Sequence, residues 1–459
     1  MKTMDTHTLE SFTTQRGRLA PKVNGYRFKI SKETKSSSNW KCVVQNCKAR
    51  CTTNKAITIL LSGSFDHDHE QETHQKLLHN EVRARCKRRA REEPDESPAK
   101  VFIKEVNQAE HSLTPKDFVN IRQAIYHERR KHEPTLPCSR EDVLDLIRQG
   151  TISTPDNMIF AVDDAIVLIT FKENFTIICN DKEFFGDGTF KHCPVFFYQM
   201  YVIHTECNGH FIPLFYCILP GKSALMYEKM LKMICDECKK NGVDFNPKSV
   251  HLDFEAATHQ AFKTVFPNVK IKTCVFHLKQ SWVRKMNELG LKKVYEDRTS
   301  DISKWLRLAL GLCFLDPAEV ENFFAFTVMA SASDSENIQK FTDYLLETYI
   351  NSNSTFPPTL WASMDMSHRT TNCCESFHSH FGQYFRTASP NIFLFLRKVN
   401  DHQKFTSLKI NAILNGESAG KKKAEKEKLI YWTQTQQQFL SGEISIEKYV
   451  KRMSFKLFI

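Results

Sequence analysis

VHLDFEAATHQAFKTVFPNVKIKTCVFHLKQ, residues 250–280, is the stretch whose reading decides the fold. One apolar run ends in Asp253, a short amphipathic segment follows, and a second apolar run ends in Cys274-x-x-His277. Strand, helix and strand in that order set an acid at the tip of one predicted strand and a Cys/His pair at the tip of the next.

Upstream, "MIFAVDDAIVLITF", "FTIICN", "EFFGDGTF", "FFYQMYVIHTE" and "FIPLFYCILPG" all have strand patterning. The helix-patterned "ALMYEKMLKMICDECKKNG" then leads into "SVHLDFE". Consecutive strands followed by alternating helix and strand predict an α/β fold, a mixed sheet with helices packed on it. Downstream, "LKQSWVRKMNEL" continues as helix, and residues 300–360 read as mostly helical, with Trp305, Phe323, Phe324 and Phe326 as core. One further helix is predicted over 368–386, and "GKKKAEKEKLIYW" in the 401–459 tail reads as a charged surface helix.

The sheet carries acids. Asp187 ends an apolar strand in "FFGDGTFK", and Asp253 ends another in "HLDFE". Acids delivered to one sheet edge by different strands repel when buried together, and a hard divalent cation neutralises them at least cost. A third acid, Glu375 in "HRTTNCCESFHSHF", shares a predicted helix face with Asn372 and Ser379. Any one of these acids alone reads as a helix cap or a solvated residue. Cys235-x-x-Cys238 lies inside an amphipathic helix with no second pair nearby, so it reads as core packing.

The 459 residues are too many for one ordinary core and predict two or three domains. No apolar run approaches the roughly 20 residues that span a bilayer, and the N-terminus lacks the apolar core of an export signal. Fifteen cysteines without a repeating spacing then predict reduced thiols inside the cell and room for a metal site. The net charge is +11, and residues 1–100 hold 20 Lys/Arg against 12 Asp/Glu. Positive charge so concentrated fits a polyanion partner; a solvated basic face is the plainer alternative.

Residues 1–20 read as disordered, and 21–72 as a small β-rich module. Within it Cys42, Cys47, His67 and His69 supply four N/S ligands suited to tetrahedral zinc. So small a β-unit has little core, and bound metal would take its place. Cys51 sits too near Cys47 to serve and reads as packing. Residues 73–110 read as a charged linker, with Arg83 to Arg91 as a nuclear import signal or an exposed helix end. Residues 111–155 read as helical, with a cap at Thr114-Pro115 and a capping box at Ser139/Asp142.

Two family resemblances rest on these residues. Aromatic strand, Trp-x-Cys, Cys-x-Ala-Arg, apolar strand and His-x-His resemble FLYWCH-type zinc fingers, of the wider WRKY/GCM group of DNA-binding modules. Tyr26, Trp40, Lys48 and Arg50 match that pattern, so Trp40, Lys48 and Arg50 are implied DNA contacts. "GYRFKI" departs from the family's usual first aromatic block. "DGTFK", "LDFEAATHQAFKTVFP", "CVFHLKQSW" and "TNCCESFH" resemble the Mutator-like element (MULE) transposases over about 155–400.

That second resemblance implies a ribonuclease H-like core over 156–400 whose Asp187, Asp253 and Glu375 form a DDE triad binding Mg²⁺ or Mn²⁺. The 122 residues from Asp253 to Glu375 are then explained by a helical insertion at about 300–360. Cys274 and His277 are left open: ligands of a structural metal with a partner such as His378 or His380, DNA contacts, or a buttress of the active-site strand. The implied activity is cutting and joining double-stranded DNA at terminal inverted repeats and target sites, in the nucleus, by an oligomer. The alternative is a recruited DNA-binding regulator whose core no longer cuts; a nuclease acting on RNA–DNA hybrids has only fold analogy behind it.

Overall fold

The computed structural model describes residues 7–14, 18–106, 113–132, 134–152, 155–178, 183–365, 373–420 and 423–457. Its contacts divide it into two compact units, residues 1–136 and 137–459. That boundary splits the helical region expected over 111–155.

The first unit begins with six strands in sequential antiparallel order: β1 (Leu9–Thr13), β2 (Leu19–Val23), β3 (Tyr26–Glu33), β4 (Ser37–Cys42), β5 (Arg50–Asn54) and β6 (Leu60–Ser64). Asn24 and Gly25, both at positive φ, make the two-residue turn that pairs Val23 with Tyr26. Within the expected disordered N-terminus, β1 instead pairs along β2, because Leu9 and Phe12 pack on the small core of Ala20, Val23, Phe28 and Trp40.

Residues 73–110 are not a linker. Helix α1 (His74–Glu92), α2 (Pro98–Glu105) and α3 (Pro115–His132) form a cluster of their own. Leu78, Val82, Cys86 and Ala90 recur every four residues on α1, one buried stripe facing Val101, Ile121 and Ile125. The basic block on the same helix is internally paired: Arg89 meets the buried Glu105, and Lys87 and Arg91 meet Glu128.

The second unit opens with α4 (Arg140–Arg148), started by the Ser139/Asp142 capping box, and a hairpin of β7 (Met158–Val162) and β8 (Val167–Phe171). The next segment, expected as a strand, is a helical turn, α5 (Asn174–Ile178); buried Asn174 donates to the Leu214 carbonyl at 3.0 Å, which fixes that turn against the sheet. Then follow β9 (Glu183–Thr189), β10 (Gln199–Cys207), β11 (His210–Leu219), α6 (Ala224–Lys240), β12 (Ser249–Leu252), α7 (Ala256–Val265), β13 (Lys270–Thr273) and α8 (Val275–Glu288).

These strands form one mixed sheet in the order β13-β12-β9-β10-β11-β8-β7. β12 runs parallel to β9 and β13, and the other pairs are antiparallel. Both faces are covered: α6 and α7 pack on one, and α4 with two later helices on the other. Covering on both sides is why β10 and β11 are near-continuous apolar runs.

Between Asp253 and Glu375 the chain folds into α9 (Lys292–Glu296), α10 (Asp301–Leu310), α11 (Pro317–Phe323), α12 (Glu336–Leu345) and α13 (Pro358–Trp361), with π-helical turns at Phe324–Met329 and Leu346–Ile350. Trp305 is core, its indole N–H donating to the Val328 carbonyl at 2.8 Å, and Phe323 and Phe324 are buried beside it. Phe326 is not core: the widened π turn points it outward, 80% exposed.

Helix α14 (Cys373–Gly382), α15 (Ile392–Leu414), α16 (Lys423–Leu440) and α17 (Ile446–Leu457) complete the unit. The expected surface tail is structural. Trp432 of α16 and Tyr449, Val450 and Met453 of α17 are fully buried in the core of the inserted helices, and the Tyr449 hydroxyl donates to the Phe314 carbonyl.

Candidate metal-binding and acid sites

In the first unit the four candidate zinc ligands meet. Cys42 ends β4, Cys47 follows in the turn, and His67 and His69 lie beyond β6. Cys42 Sγ lies 3.2 Å from His69 Nε2, Cys47 Sγ 3.4 Å from His67 Nδ1, and the two ring nitrogens 3.2 Å apart. Zn–S and Zn–N bonds of about 2.3 and 2.0 Å at tetrahedral angles put such donors roughly 3.3–3.6 Å apart, so the set fits zinc. Tyr26 stacks on His67 at 3.7 Å and fixes its ring.

Cys51 is core, its thiol pushed up to about 12 by burial. Trp40, an implied DNA contact, is buried, and its indole N–H donates to Thr53 Oγ1 at 2.9 Å. It holds the module together from inside and has no face left for DNA. Lys48 and Arg50 are exposed.

In the second unit Asp187, Asp253 and Glu375 converge. β9 and β12 are parallel neighbours, with His251 paired to Phe185. Two residues further on, that register brings Asp253 beside Asp187. Gly186 is required behind Asp187, since a Cβ there would lie 2.5 Å from the buried Tyr201 hydroxyl. Helix α14 brings the third acid from the side, seated through Phe377 and Phe381 on the sheet.

Two histidines stitch the acids together. His277 Nδ1 is 2.5 Å from Asp253 Oδ1, and its Nε2 is 2.8 Å from Glu375 Oε1. His378 Nε2 is 3.1 Å from Asp187 Oδ2. The Cys-x-x-His pair is therefore not at a strand tip: β13 ends at Thr273, Cys274 is the N-cap of α8, and His277 lies in that helix's first turn. The backbone of Asp253 is pinned by His259, whose Nε2–H donates to the Asp253 carbonyl at 2.7 Å.

The electrostatics follow the packing. Burial alone would raise the Asp187 carboxyl, but the hydrogen bond and charge of His378 outweigh it and hold the group below its ordinary value. Burial, joined by the Asp187 charge, raises the Asp253 carboxyl to about 6 against the downward pull of His277. Burial opposes a charge on His277, yet its contacts with Asp253, Cys274 and Glu375 prevail and lift its ring above the ordinary range. The cluster is thus a set of carboxylates held against imidazolium, the arrangement that a divalent cation could replace.

Asp253, His277 and Glu375 line a cleft of about 510 Å³ whose wall also carries Lys263, Lys270 and Lys272. Hard oxygen donors at the floor and cations on the wall suit a metal ion and a phosphate chain.

Ser379, four residues after Glu375 on α14, and His380 are exposed, and Asn372 lies outside the described residues. The neighbour of Glu375 that reaches an acid is His378, three residues on. Contact of His378 with Asp187 was not foreseen, although the Glu-x-x-His spacing was in plain view. Cys235 and Cys238 pack along α6, as their helical setting implied.

Both resemblances are matched by family models: residues 12–69 match the FLYWCH zinc finger domain, and residues 184–281 the MULE transposase domain. The chain therefore carries a DNA-binding zinc finger ahead of a transposase domain, the pairing found in a transposase or in a DNA-binding protein derived from one. No curated protein matches it. Among the described residues, no helix is long and apolar enough to cross a membrane.

Proposed function

We propose that the protein is a DDE-type DNA transposase: its finger and basic first unit bind the ends of a DNA element, and Asp187, Asp253 and Glu375 carry the cleavage and joining of strands. The convergence of these three acids, from β9, from the end of β12 and from α14, carries the reading. The strand order β11-β10-β9-β12-β13, antiparallel from β11 to β9 and parallel from β9 to β13, supports a ribonuclease H-like core with the helical insertion before the third acid.

The three carboxylates would hold Mg²⁺ or Mn²⁺. When bound, such ions activate the attacking oxygen and stabilise the leaving one in an in-line displacement at phosphorus. Asp187 and Asp253 sit side by side on parallel strands and supply the rigid half of the site, while Glu375 closes it from α14. His277 contacts Asp253 and Glu375, and His378 contacts Asp187, so a bound cation would take the place of His277 at those two acids. Lys263, Lys270 and Lys272 orient the phosphate backbone along the cleft. Exposed Lys48 and Arg50 add phosphate contacts from the finger, so DNA affinity falls steeply with salt. Work on two element ends calls for more than one copy of the chain, in the nucleus.

The test is an excision and strand-transfer assay on the genomic DNA flanking the gene, with the wild type compared with Asp253→Asn in Mg²⁺. Cleavage by the wild type alone is expected. Equal cleavage by both removes Asp253 from the chemistry. Salt-sensitive binding with no cleavage by either favours a recruited DNA-binding regulator, whose acids stay in contact with His277 and His378.

A further inference from the structure

The acid cleft holds a thiol and an imidazole that phosphodiester chemistry does not use, beside one acid that it does. Cys274 caps α8, His277 follows in the same turn, and Glu375 faces them from α14. The Cys274 thiol, a ring nitrogen of His277 and a carboxylate oxygen of Glu375 all lie within 4.8 Å of one another. All three residues are partly buried.

Their packing is not that of a finished hydrogen-bond network. His277 Nδ1 and Glu375 Oε1 are buried atoms at contact distance from Asp253 Oδ1 and His277 Nε2, yet neither has an aligned hydrogen-bond partner. Polar atoms buried this way cost free energy unless something else satisfies them. Donors converging on one point are what a shared cation organises, and the finger's four ligand atoms converge in the same way at 3.2–3.4 Å.

The chemistry of the trio selects the ion. Mg²⁺ and Mn²⁺ take oxygen donors and have no use for sulfur, whereas thiolate, imidazole and carboxylate together suit zinc. Three protein ligands with one position left open is a recognised zinc geometry.

We propose that Cys274, His277 and Glu375 form a second Zn²⁺ site, separate from the finger, which withdraws Glu375 from Asp187 and Asp253 when it is filled. Binding converts the Cys274 thiol to thiolate and releases its proton to solvent as the Zn–S bond forms. The site's existence rests on the donor set alone. Its consequence, inhibition of cleavage by zinc, rests on the proposed transposase reading.

The experiment is metal analysis of the full chain, with Co²⁺ substituted for zinc to count thiolate ligands by their charge-transfer absorption. Two metal ions per wild-type chain are expected, with an absorption corresponding to three thiolates. Cys274→Ser should hold one ion, with two thiolates; Cys47→Ser should keep the cleft ion with its single thiolate. Cys274→Asp, which restores an oxygen ligand at the cap of α8, should keep two ions and lose one thiolate's absorption, which separates ligation from folding.

A single ion in the wild type overturns the proposal, as do two ions with undiminished absorption in Cys274→Ser. Micromolar Zn²⁺ should also inhibit Mg²⁺-dependent cleavage by the wild type, with an inhibition constant at least tenfold higher for Cys274→Ser. Two bound ions without cleavage under any condition would refute the transposase reading and leave the zinc site standing. Cleavage by a chain that binds one ion would do the reverse.

Discussion

Lowering the pH should loosen the helix that carries Glu375, and the lever is His402. It lies on α15, with its Nδ1 3.0 Å from the buried Tyr216 hydroxyl and its ring 5.2 and 5.6 Å from Phe377 and Phe381 of α14. Burial, with Lys409 and His380 nearby, lowers this histidine from 6.5 to about 4. A depressed histidine contributes stability that is complete above its unfolded value and is lost as pH falls, because the unfolded chain takes up the proton first.

With those two values the loss is about 2 kcal/mol at pH 5 and about 3 kcal/mol below pH 4. Urea unfolding followed by tryptophan fluorescence at pH 7, 6 and 5 measures it, with His402→Gln as the comparison. The wild type should lose about 2 kcal/mol more than the variant between pH 7 and pH 5. His204, buried and likewise lowered by burial, titrates in both chains and cancels in the difference. Equal losses in the two chains would refute the assignment and leave α14 without a pH-sensitive seat.

Gly186→Ala should cost about 1–3 kcal/mol, because the added methyl meets Tyr201 and Leu252, and it should cut cleavage more than tenfold by displacing Asp187; differential scanning calorimetry and the excision assay read the two effects. Trp432→Ala should cost about 3–5 kcal/mol and lower the melting temperature of the second unit by roughly 10 °C, since it empties a fully buried site against Phe314. Chelating the finger's zinc should expose β1–β6 to proteolysis and abolish most DNA binding while leaving the second unit resistant; continued resistance of β1–β6 would mean that the module folds on its own core.

The sheet was readable because its strands are apolar on both faces and its acids end them. The two-residue offset between β9 and β12, which aligns Asp187 with Asp253, was not readable, because register belongs to pairing and not to either strand. Helix α1 was hidden by its own charge: nine of its nineteen residues are Lys, Arg or Glu, and they masked the fourfold spacing of Leu78, Val82, Cys86 and Ala90. The four finger ligands were legible from spacing, while burial of Trp40 could be known only once β4 and β5 were paired. His277 was marked as important for reasons that pattern could not supply. Its contacts reach Asp253, 24 residues earlier, and Glu375, 98 residues later, which no local periodicity reports.

The inserted helices separate the second acid from the third, and their core is sealed by Trp432 and Tyr449 close to the end of the chain. A ribosome must therefore pass residue 449 before the helices that carry the chain from Asp253 to Glu375 can be sealed. Contacts so far apart in sequence form late in folding, so a nascent or truncated chain can display a folded finger without an assembled acid cluster. On the transposase reading proposed above, such a chain finds DNA before it can cut it, with the order of synthesis acting as the safety catch.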